Sequence, residues 1–401
     1  MLAHSLPVSE ELPLRLPTEL VALTDEQNHI LDLCRRFAEQ EIRPIAREVD
    51  EADTEVPWDI WYSAAKVGLT SFMLPEAYGG GGFTDVFTQC LVQEELCTGD
   101  LAIGNLLTAN GFFAHPILEL GTGEQRERYL TPLGAPRPPM TSLAVTEPDT
   151  GSDAASLTTR AVRKGDWYVL SGRKAWISNA GASEYYIVFA TVDPALRSRG
   201  VTAFVLHRDT PGFTVSEPWK KMGQRALINA ELVLDEVEVP ERDRLGAEGD
   251  GFRGLMHTFD RSRTILAAAA TGVARAATEY ATEYARQRRQ FGKPIIEHQA
   301  VAFRLADMAT RVESARLMTW RAAKRIDAGL PAGRESAMAK LIASETAMFA
   351  TWAAVQTLGG WGYSREFLVE KWMRDAKLEE IEEGTSDIQR LIISRSLDDR
   401  R

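Results

Sequence analysis

The feature that most constrains the fold is a run of β-type sequence between residues 140 and 250, with helical sequence on both sides. Within this run, β-branched and aromatic residues recur in short stretches separated by Gly, Pro and Asp turns. Strands are predicted at residues 167–170, 185–192, 201–206 and 231–239. The last stretch alternates with one slip between Leu234 and Val237, which predicts a bulged strand.

The flanking sequence is helical. Thr24 and Gln27 have the spacing of a capping box, so the first helix is predicted to begin there. Further helices are predicted at 59–67, 85–97, 103–120, 252–287, 297–328, 335–358 and 366–383. The order predicts an α+β, mainly α fold, with a loose leader (1–23), an N-terminal α-helical domain (24–139), a middle β domain of sandwich or barrel type (140–250) and a C-terminal four-helix bundle (251–401).

Composition excludes several classes. The formal charge is −11, with 57 acidic against 46 basic residues, so nucleic acid is not the expected partner. Cys34, Cys90 and Cys97 have neither metal nor disulfide spacing, so no metal site is expected and reduced thiols fit best. The acidic, proline-containing start fits no signal or transit peptide. The longest apolar stretch noted, 265–274, is too short to span a bilayer, so a cytoplasmic protein without membrane insertion is expected.

The run EEGTSDIQR, residues 382–390, is the strongest candidate for a reactive site. Residues 378–383 are predicted as the last turns of a helix that Gly384 ends. Ser386 and Gln389 have the pattern of a capping box for the next helix. A glutamate at such a break, beside unpaired carbonyls and low in counter-charge, is expected to have a raised pKa, which suits a base acting on a carbon acid. The charge pattern alone equally describes a solvated acidic face.

Five other segments carry binding patterns: LAVTEPDTGSD (143–153), WISN (176–179), FDRSRT (259–264), RRQFGKPIIEHQ (288–299) and QTLGG (356–360). The first can offer hydroxyl and backbone donors to a planar polar ring. An arginine near a glycine-bearing turn suits a pyrophosphate. Each pattern alone is also common in ordinary loops and surfaces. Together and in this order, from Thr24 to Ile393, they resemble the acyl-CoA dehydrogenase family of FAD enzymes.

The resemblance implies the binding residues. Contacts to FAD are expected from Ala144, Val145, Thr146, Ser152, Trp176, Ile177, Ser178, Arg288, Gln290, Phe291, His298, Gln299, Gln356, Gly359, Gly360, Thr385, Ser386 and Asp387. Contacts to the acyl-CoA are expected from Ser152, Asp260, Arg263 and Gly384. Some of the FAD contacts reach the neighbouring subunit in the family, so a homo-oligomer is implied, either a dimer or a homotetramer built as a dimer of dimers.

Glu383 matches the catalytic base of the family. Some relatives instead carry that carboxylate one residue before the arginine of the FDRSRT segment, where this chain has Ser262, so the assignment falls to Glu383. The family often has an aromatic residue before the base, whereas this chain has Glu382. If Glu382 faced the substrate pocket, two carboxylates would titrate together, and Arg263 could offset their charge.

The resemblance implies α,β-dehydrogenation of an acyl-CoA thioester to the trans-2-enoyl-CoA, as in the β-oxidation of fatty acids. Glu383 would remove the α-proton, the hydride would go to flavin N5, and electrons would pass to an electron-transfer flavoprotein. Three alternatives remain at this point: a dehydrogenase of a carrier-protein-bound acyl group, an acyl-CoA oxidase, and a non-catalytic flavoprotein that binds DNA. The acidic balance and the presence of Glu383 argue against the last.

Overall fold

The N-terminal part of the chain is helical. The computed structural model describes Leu14, Leu16 and residues 21–398. Seven α-helices come first: α1 Asp25–Phe37, α2 Arg43–Ala52, α3 Trp58–Lys66, α4 Val86–Gly99, α5 Leu101–Thr108, α6 Asn110–Leu120 and α7 Gly123–Leu130. The predicted capping box is confirmed, because Thr24 Oγ1 accepts from the Gln27 amide while the Gln27 side chain accepts from the Thr24 amide. These helices pack their apolar faces into one core that also includes Phe189 and Val205 of the middle domain.

The middle domain is one eight-stranded sheet. Its strands are β1 Met140–Ala144, β2 Arg160–Lys164, β3 Trp167–Ser178, β4 Ser183–Thr191, β5 Val201–His207, β6 Phe213–Val215, β7 Asn229–Pro240 and β8 Arg244–Leu245. The order is β6-β7-β3-β2-β4-β5-β8, with β1 parallel to β4. β2 meets β4 at a single residue pair, so two half-sheets join there and enclose a common core around Tyr168, Tyr186 and Phe204. The predicted bulge is confirmed, since the β3–β7 register shifts opposite 234–237 and Glu236 has a φ of 50°.

The C-terminal part is again helical, with α8 Gly251–Gln287, the short hairpin of β9 Arg289–Gln290 and β10 Lys293–Pro294, then α9 Gln299–Asp327, α10 Gly333–Leu358, α11 Val369–Glu379 and α12 Ser386–Ser396. α10 packs against α8, α9, α11 and α12. Alanines line most of these contacts and allow close approach of the helix axes.

Buried ion pairs fix α4 to the C-terminal helices. Arg316 Nη2 of α9 lies 2.7 Å from Glu94 Oε1, and Arg275 Nη1 of α8 lies 3.1 Å from Glu95 Oε1. All four side chains are almost fully buried, so each charge depends on its partner. α4 is therefore held rigidly beside α8, and these two helices form opposite walls of the cavity described below.

Two helix predictions are wrong in extent. The predicted helix 103–120 is two helices, because the chain breaks at Ala109 between α5 and α6. The predicted helix 366–383 is only Val369–Glu379, and residues 380–383 form turns.

Leu101–Leu120 is the one described helical stretch apolar and long enough to cross a membrane, but 83% of it is buried within the protein, as for core helices.

The predicted leader, residues 1–23, lies largely outside the described residues. Within it, Leu14 and Leu16 are buried. The Leu14 carbonyl accepts a hydrogen bond of 2.8 Å from Arg316 Nη2, so this point of the chain contacts α9.

Candidate active site

Glu383 lies in a tight turn between α11 and α12. Its φ is 49°, and that of the next residue, Gly384, is 93°, so two consecutive residues are left-handed. For a residue with a side chain this conformation costs on the order of 1 kcal/mol, so the surroundings must hold it. The Glu383 carbonyl accepts from Arg263 Nε of α8 at 2.9 Å, and the Gly384 carbonyl accepts from Lys340 Nζ of α10 at 2.9 Å. The turn is therefore fixed by helices from distant parts of the chain.

The predicted capping box at Ser386 and Gln389 is wrong. Thr385 is the N-cap of α12, and its Oγ1 accepts from the Ile388 amide at 3.3 Å. The Gln389 side chain instead donates to the carbonyls of Glu383 and Gly384, at 3.2 and 2.9 Å. These carbonyls attract the glutamine because the left-handed turn directs them away from any helical partner.

The Glu383 carboxyl has a raised pKa, which suits a base that accepts a proton near neutral pH. Burial among protein atoms raises its pKa to about 8, although the residue keeps partial access to solvent. The Ser262 hydroxyl donates to Glu383 Oε2 at 2.5 Å and, with Arg263, lowers the pKa from what burial alone would give. The prediction of a raised pKa therefore agrees with the structure, but its stated cause is wrong. Burial dominates, the nearby carbonyls are hydrogen-bonded, and Arg263 and Lys340 supply counter-charge.

Ser262 and Glu383 occupy adjacent positions in space. Ser262 stands where the resemblance allowed an alternative catalytic carboxylate, and its hydroxyl contacts the carboxylate of Glu383. A carboxylate at position 262 or at position 383 could therefore occupy the same place in the site. Arg263 also lies near Asp260, with 3.8 Å between Nη1 and Oδ1, so the predicted pair is loose and Arg263 is mainly a support for the Glu383 turn.

Glu382 is not among the residues that line the cavity described below, and its carboxyl interacts with that of Glu379. Burial and the neighbouring Glu382 raise the pKa of Glu379, and burial raises that of Glu382. The cations acting on Glu382 are Lys340 and Lys221, whereas Arg263, which was expected to offset the charge of the pair, acts on Glu383. The two carboxyls titrate as a coupled pair beside the turn that carries Glu383.

A small cavity, about 30 Å³ in volume, opens beside this turn. Its walls come from Phe72 and Met73, from α4, α5, α6 and α8, and include Ser262, the residue that holds the Glu383 carboxylate. The lining residues are Phe72, Met73, Gln89, Gln93, Asn105, Thr108, Gly111, Phe112, His115, Ser262, Ile265 and Leu266.

The first two binding segments lie side by side. The Thr146 carbonyl accepts from the Ala175 amide at 2.9 Å, so loop 143–153 runs along the end of β3. Trp176 has a φ of 60° and is 61% exposed, with its ring 4.5 Å from that of Trp219. An exposed indole on a strained backbone is suited to packing against a flat ligand. Ser178 Oγ, which accepts from Asn229 at 3.1 Å, keeps its own hydrogen available.

A buried ion pair that sequence reasoning missed fixes this loop. Lys174 Nζ lies 2.9 Å from Glu147 Oε1 and also donates to the Val145 carbonyl. Glu147 further accepts from the Thr158 and Thr159 amides, and its pKa falls to about 2 although burial opposes this. The two residues are far apart in sequence with no local pattern, so only their burial in the fold identifies them.

Eight further predicted cofactor residues lie at the other end of the C-terminal helices, around the β9–β10 hairpin and the end of α10: Arg288, Gln290, Phe291, His298, Gln299, Gln356, Gly359 and Gly360. Phe291, at the tip of the β9–β10 hairpin, is 93% exposed, and its ring is 5.8 Å from that of His298. Gln356, Gly359 and Gly360 end α10, and an added Cβ at either glycine would meet nothing within 4 Å. Lys340 contacts the Glu383 turn sixteen residues earlier on α10, about 24 Å away along the helix. A single chain therefore does not bring this group to Glu383.

The start of α12 is suited to an anionic group. The N-terminus of a helix carries partial positive charge, and the Ser386 hydroxyl is buried there with no hydrogen-bond partner within residues 21–398. Two of the first amides are already used, since that of Ser386 donates to the Glu380 carbonyl at 3.0 Å and that of Ile388 donates to Thr385 Oγ1. The unpaired Ser386 hydroxyl at this helix start and the exposed Trp176 are groups of the kind that a ligand with phosphates and a flat ring requires. Asp387 is exposed at the same helix start.

Three family models match the chain in order. They describe the N-terminal, middle and C-terminal domains of acyl-CoA dehydrogenases, and match residues 24–135, 142–237 and 249–397. The chain is 43% identical to cyclohex-1-ene-1-carbonyl-CoA dehydrogenase of Geobacter metallireducens, and 42% identical to an acyl-CoA dehydrogenase of Bacillus subtilis. Each alignment covers 94% of this chain and 98% of the relative. The structure of butyryl-CoA dehydrogenase from Megasphaera elsdenii superposes with a TM-score of 0.89 at 39% identity, over 94% of this chain and 98% of that one. The chain therefore belongs to the acyl-CoA dehydrogenase family, whose members are FAD-dependent oxidoreductases.

Proposed function

We propose that this protein dehydrogenates an acyl-CoA thioester between the α- and β-carbons to give the trans-2-enoyl-CoA, with Glu383 as the base. The observation that carries the proposal is the environment of Glu383. Its carboxyl has a pKa raised to about 8, and Ser262 holds it beside a buried cavity. A base of this strength is matched to removing a weakly acidic proton near neutral pH.

The protein's own residues orient the reaction. The left-handed turn fixes the Glu383 backbone, and Ser262 leaves the second carboxylate oxygen available for the α-proton. Charge that develops on the thioester oxygen requires a donor fixed in advance, worth about 3 kcal/mol in comparable sites. The backbone N–H of Glu383 is the proposed donor, by resemblance to the family.

FAD is the cofactor of this family, and bound FAD supplies the hydride acceptor at flavin N5. Trp176, Ser178 and residues 144–146 are proposed to hold its ring, and the start of α12 is proposed to bind its phosphates. The group around Phe291 and Gly359 lies about 24 Å from the Glu383 turn along α10, and it exposes an apolar ring almost completely. We therefore propose that it binds the flavin of a second subunit in a dimer or a dimer of dimers. Electrons are proposed to leave to an electron-transfer flavoprotein.

Short or compact acyl groups are the proposed substrates, because the cavity is small and is lined by residues of the packed helices α4, α5, α6 and α8. The names of two relatives, a butyryl-CoA and a cyclohexenecarbonyl-CoA dehydrogenase, support this size. We expect short straight-chain and cyclic acyl-CoA thioesters to bleach the flavin of the anaerobic holoenzyme, and long-chain thioesters to do so much more slowly. Bleaching by none of a panel of straight, branched, cyclic and aromatic thioesters would contradict the proposed reaction.

The acid limb of the pH profile reports on Glu383. Only the carboxylate form accepts a proton, so kcat/KM is expected to fall as pH decreases through about 8. The Ser262 hydrogen bond lowers the pKa of Glu383, so Ser262→Ala is expected to move the inflection to higher pH. Steady-state pH profiles of both enzymes measure the shift.

Ser344→Ala is the matched control for this experiment, because Ser344 is a buried serine of α10 whose hydroxyl donates to Leu341 within its own helix. Its profile should coincide with that of the wild type. An unchanged inflection in Ser262→Ala would show that Glu383 is not the group that titrates.

A further inference from the structure

The lining of the cavity beside Glu383 includes buried polar atoms that have no hydrogen-bond partner within the described residues. Gln93 Oε1 and both ring nitrogens of His115 have no hydrogen-bond partner within the described part of the chain, and both residues line the cavity. Gln93 is 1% exposed and His115 7% exposed. An unpaired polar atom at such depth has lost its hydration without gaining a partner, so a ligand that pairs with it gains a large advantage.

The orientation of Gln93 is set by a chain of side-chain amides. Gln224 Nε2 donates to Glu379 Oε1 at 2.9 Å and to the backbone carbonyl of Asp375 at 3.4 Å. A backbone carbonyl can only accept, so the atom of Gln224 that faces it must be the nitrogen. Gln224 must therefore present its oxygen to Asn105, whose Nδ2 donates to it at 3.2 Å. Asn105 Oδ1 in turn accepts from Gln93 Nε2 at 2.8 Å.

The last amide in this row of hydrogen bonds is Gln93, which lines the cavity. Because every amide donates towards Glu379, the oxygen of Gln93 is its free group, and an amide oxygen can only accept a hydrogen bond. A ligand must therefore bring a hydrogen-bond donor to Gln93.

His115 completes the polar part of the cavity. Burial, with a smaller contribution from Arg261, lowers its pKa to about 3, so the ring is neutral and has one donor and one acceptor nitrogen. Gly111 lies beside it, and a Cβ added there would stand 3.9 Å from His115 Cε1, so the absent side chain leaves room next to the ring. A neutral ring does not attract a carboxylate as a cation would, which favours an uncharged partner.

We propose that the preferred acyl group carries a hydroxyl beyond the β-carbon, donating to Gln93 Oε1 and accepting from the His115 ring. This rests on the proposed dehydrogenation and specifies its substrate class. Ser262, which holds the Glu383 carboxylate, lines the same cavity as Gln93 and His115, so an acyl group whose α-carbon meets Glu383 could extend its hydroxyl to these two residues. Phe72, Met73 and Phe112 supply apolar lining for its carbon chain.

The test compares short acyl-CoA thioesters with their terminally hydroxylated counterparts on the holoenzyme. The wild type is expected to favour the hydroxyacyl thioester in kcat/KM by roughly tenfold or more. Gln93→Met and His115→Phe should each remove most of that preference by raising KM for the hydroxyacyl thioester more than KM for the plain one, so the ratio of the two kcat/KM values falls towards one. Phe112→Leu is the matched control, since it changes the cavity wall without changing its polarity, and it should alter both substrates alike.

The outcomes separate this inference from the proposed function. Equal efficiency on both thioesters in the wild type would overturn the hydroxyl proposal, as when a water molecule satisfies Gln93 and His115, and would leave dehydrogenation standing. A preference for a carboxylated acyl group would also overturn it. If neither thioester bleached the flavin, the proposed function itself would fail. Perturbation of the flavin spectrum on thioester binding gives the same comparison without turnover, and FAD content confirms that each variant is folded.

Discussion

Replacing Glu383 with glutamine is expected to lower turnover by roughly 10²- to 10⁴-fold, the range typical of a lost general base. Glutamine keeps the size of the side chain and can still accept the hydrogen bond from Ser262, but it cannot take a proton. The turn is fixed by Arg263 and Lys340 through backbone carbonyls, which the substitution leaves in place. The variant should therefore fold, bind FAD and bind the thioester normally. The rate of anaerobic flavin bleaching in single turnover measures the chemical step directly.

Glu380→Gln is the matched control for this variant. Glu380 lies three residues before Glu383, but its carboxylate pairs with Lys377 at 2.6 Å on the outer side of the turn. Its bleaching rate should equal that of the wild type. Near-normal bleaching by Glu383→Gln would refute the assignment of the base, and a colourless Glu383→Gln protein would show instead that the residue supports the fold.

The site was only partly predictable because its central interactions join distant segments. The position of Glu383 beside a break between two helices can be predicted locally, since Gly384 follows the acidic run directly, although α11 ends earlier, at Glu379. The cause of the raised pKa cannot, because the burial comes from α8 and α10 packing on the turn. Ser262 and Lys340 approach from more than 40 residues away in sequence, and no spacing rule connects them to Glu383.

The order of helical and β regions could be predicted from the periodicity of apolar residues, whereas the ends of the helices could not. A change from 3.6-residue to two-residue periodicity marks the middle domain, because it reflects which faces are buried. The break at Ala109 and the early end of α11 depend on tertiary contacts instead. In the second case Arg263 and Gln389 bind the carbonyls of the turn, which makes the left-handed backbone more stable than another turn of helix.

Lys371→Met is expected to cause the largest loss of stability, about 3–5 kcal/mol at neutral pH. Lys371 is 1% exposed, hydrogen-bonds to the Asp100 carboxylate, and lies 2.7 Å from Asp375 Oδ2. Asp100 caps α5 through the Ile103 amide, and Asp375 Oδ1 accepts from the Gln224 amide at 2.6 Å. One ammonium is thus the shared counter-ion of two buried carboxylates that join α11, α5 and the loop after β6. Methionine would fill the space but remove the cation that contacts both carboxylates, while Arg43 would still act on Asp100.

The expected pH dependence distinguishes this cause from simple loss of packing. Burial already raises the pKa of Asp375 to about 6, above the unfolded value of about 4, and Lys371 lowers it from what burial alone would give, so removing Lys371 raises it further. At low pH Asp375 is protonated and neutral in both proteins, so the extra penalty in the variant is small there and grows as the pH rises above about 6. Thermal unfolding of the FAD-saturated protein should show an apparent Tm lower by roughly 5 °C or more at neutral pH, and a smaller deficit at mildly acidic pH.

Lys377→Met is the matched control on the same helix, since its exposed pair with Glu380 is worth only about 0–1 kcal/mol. A Tm deficit in Lys371→Met that is equal to that of the control, or that does not change with pH, would show that the two carboxylates do not depend on Lys371.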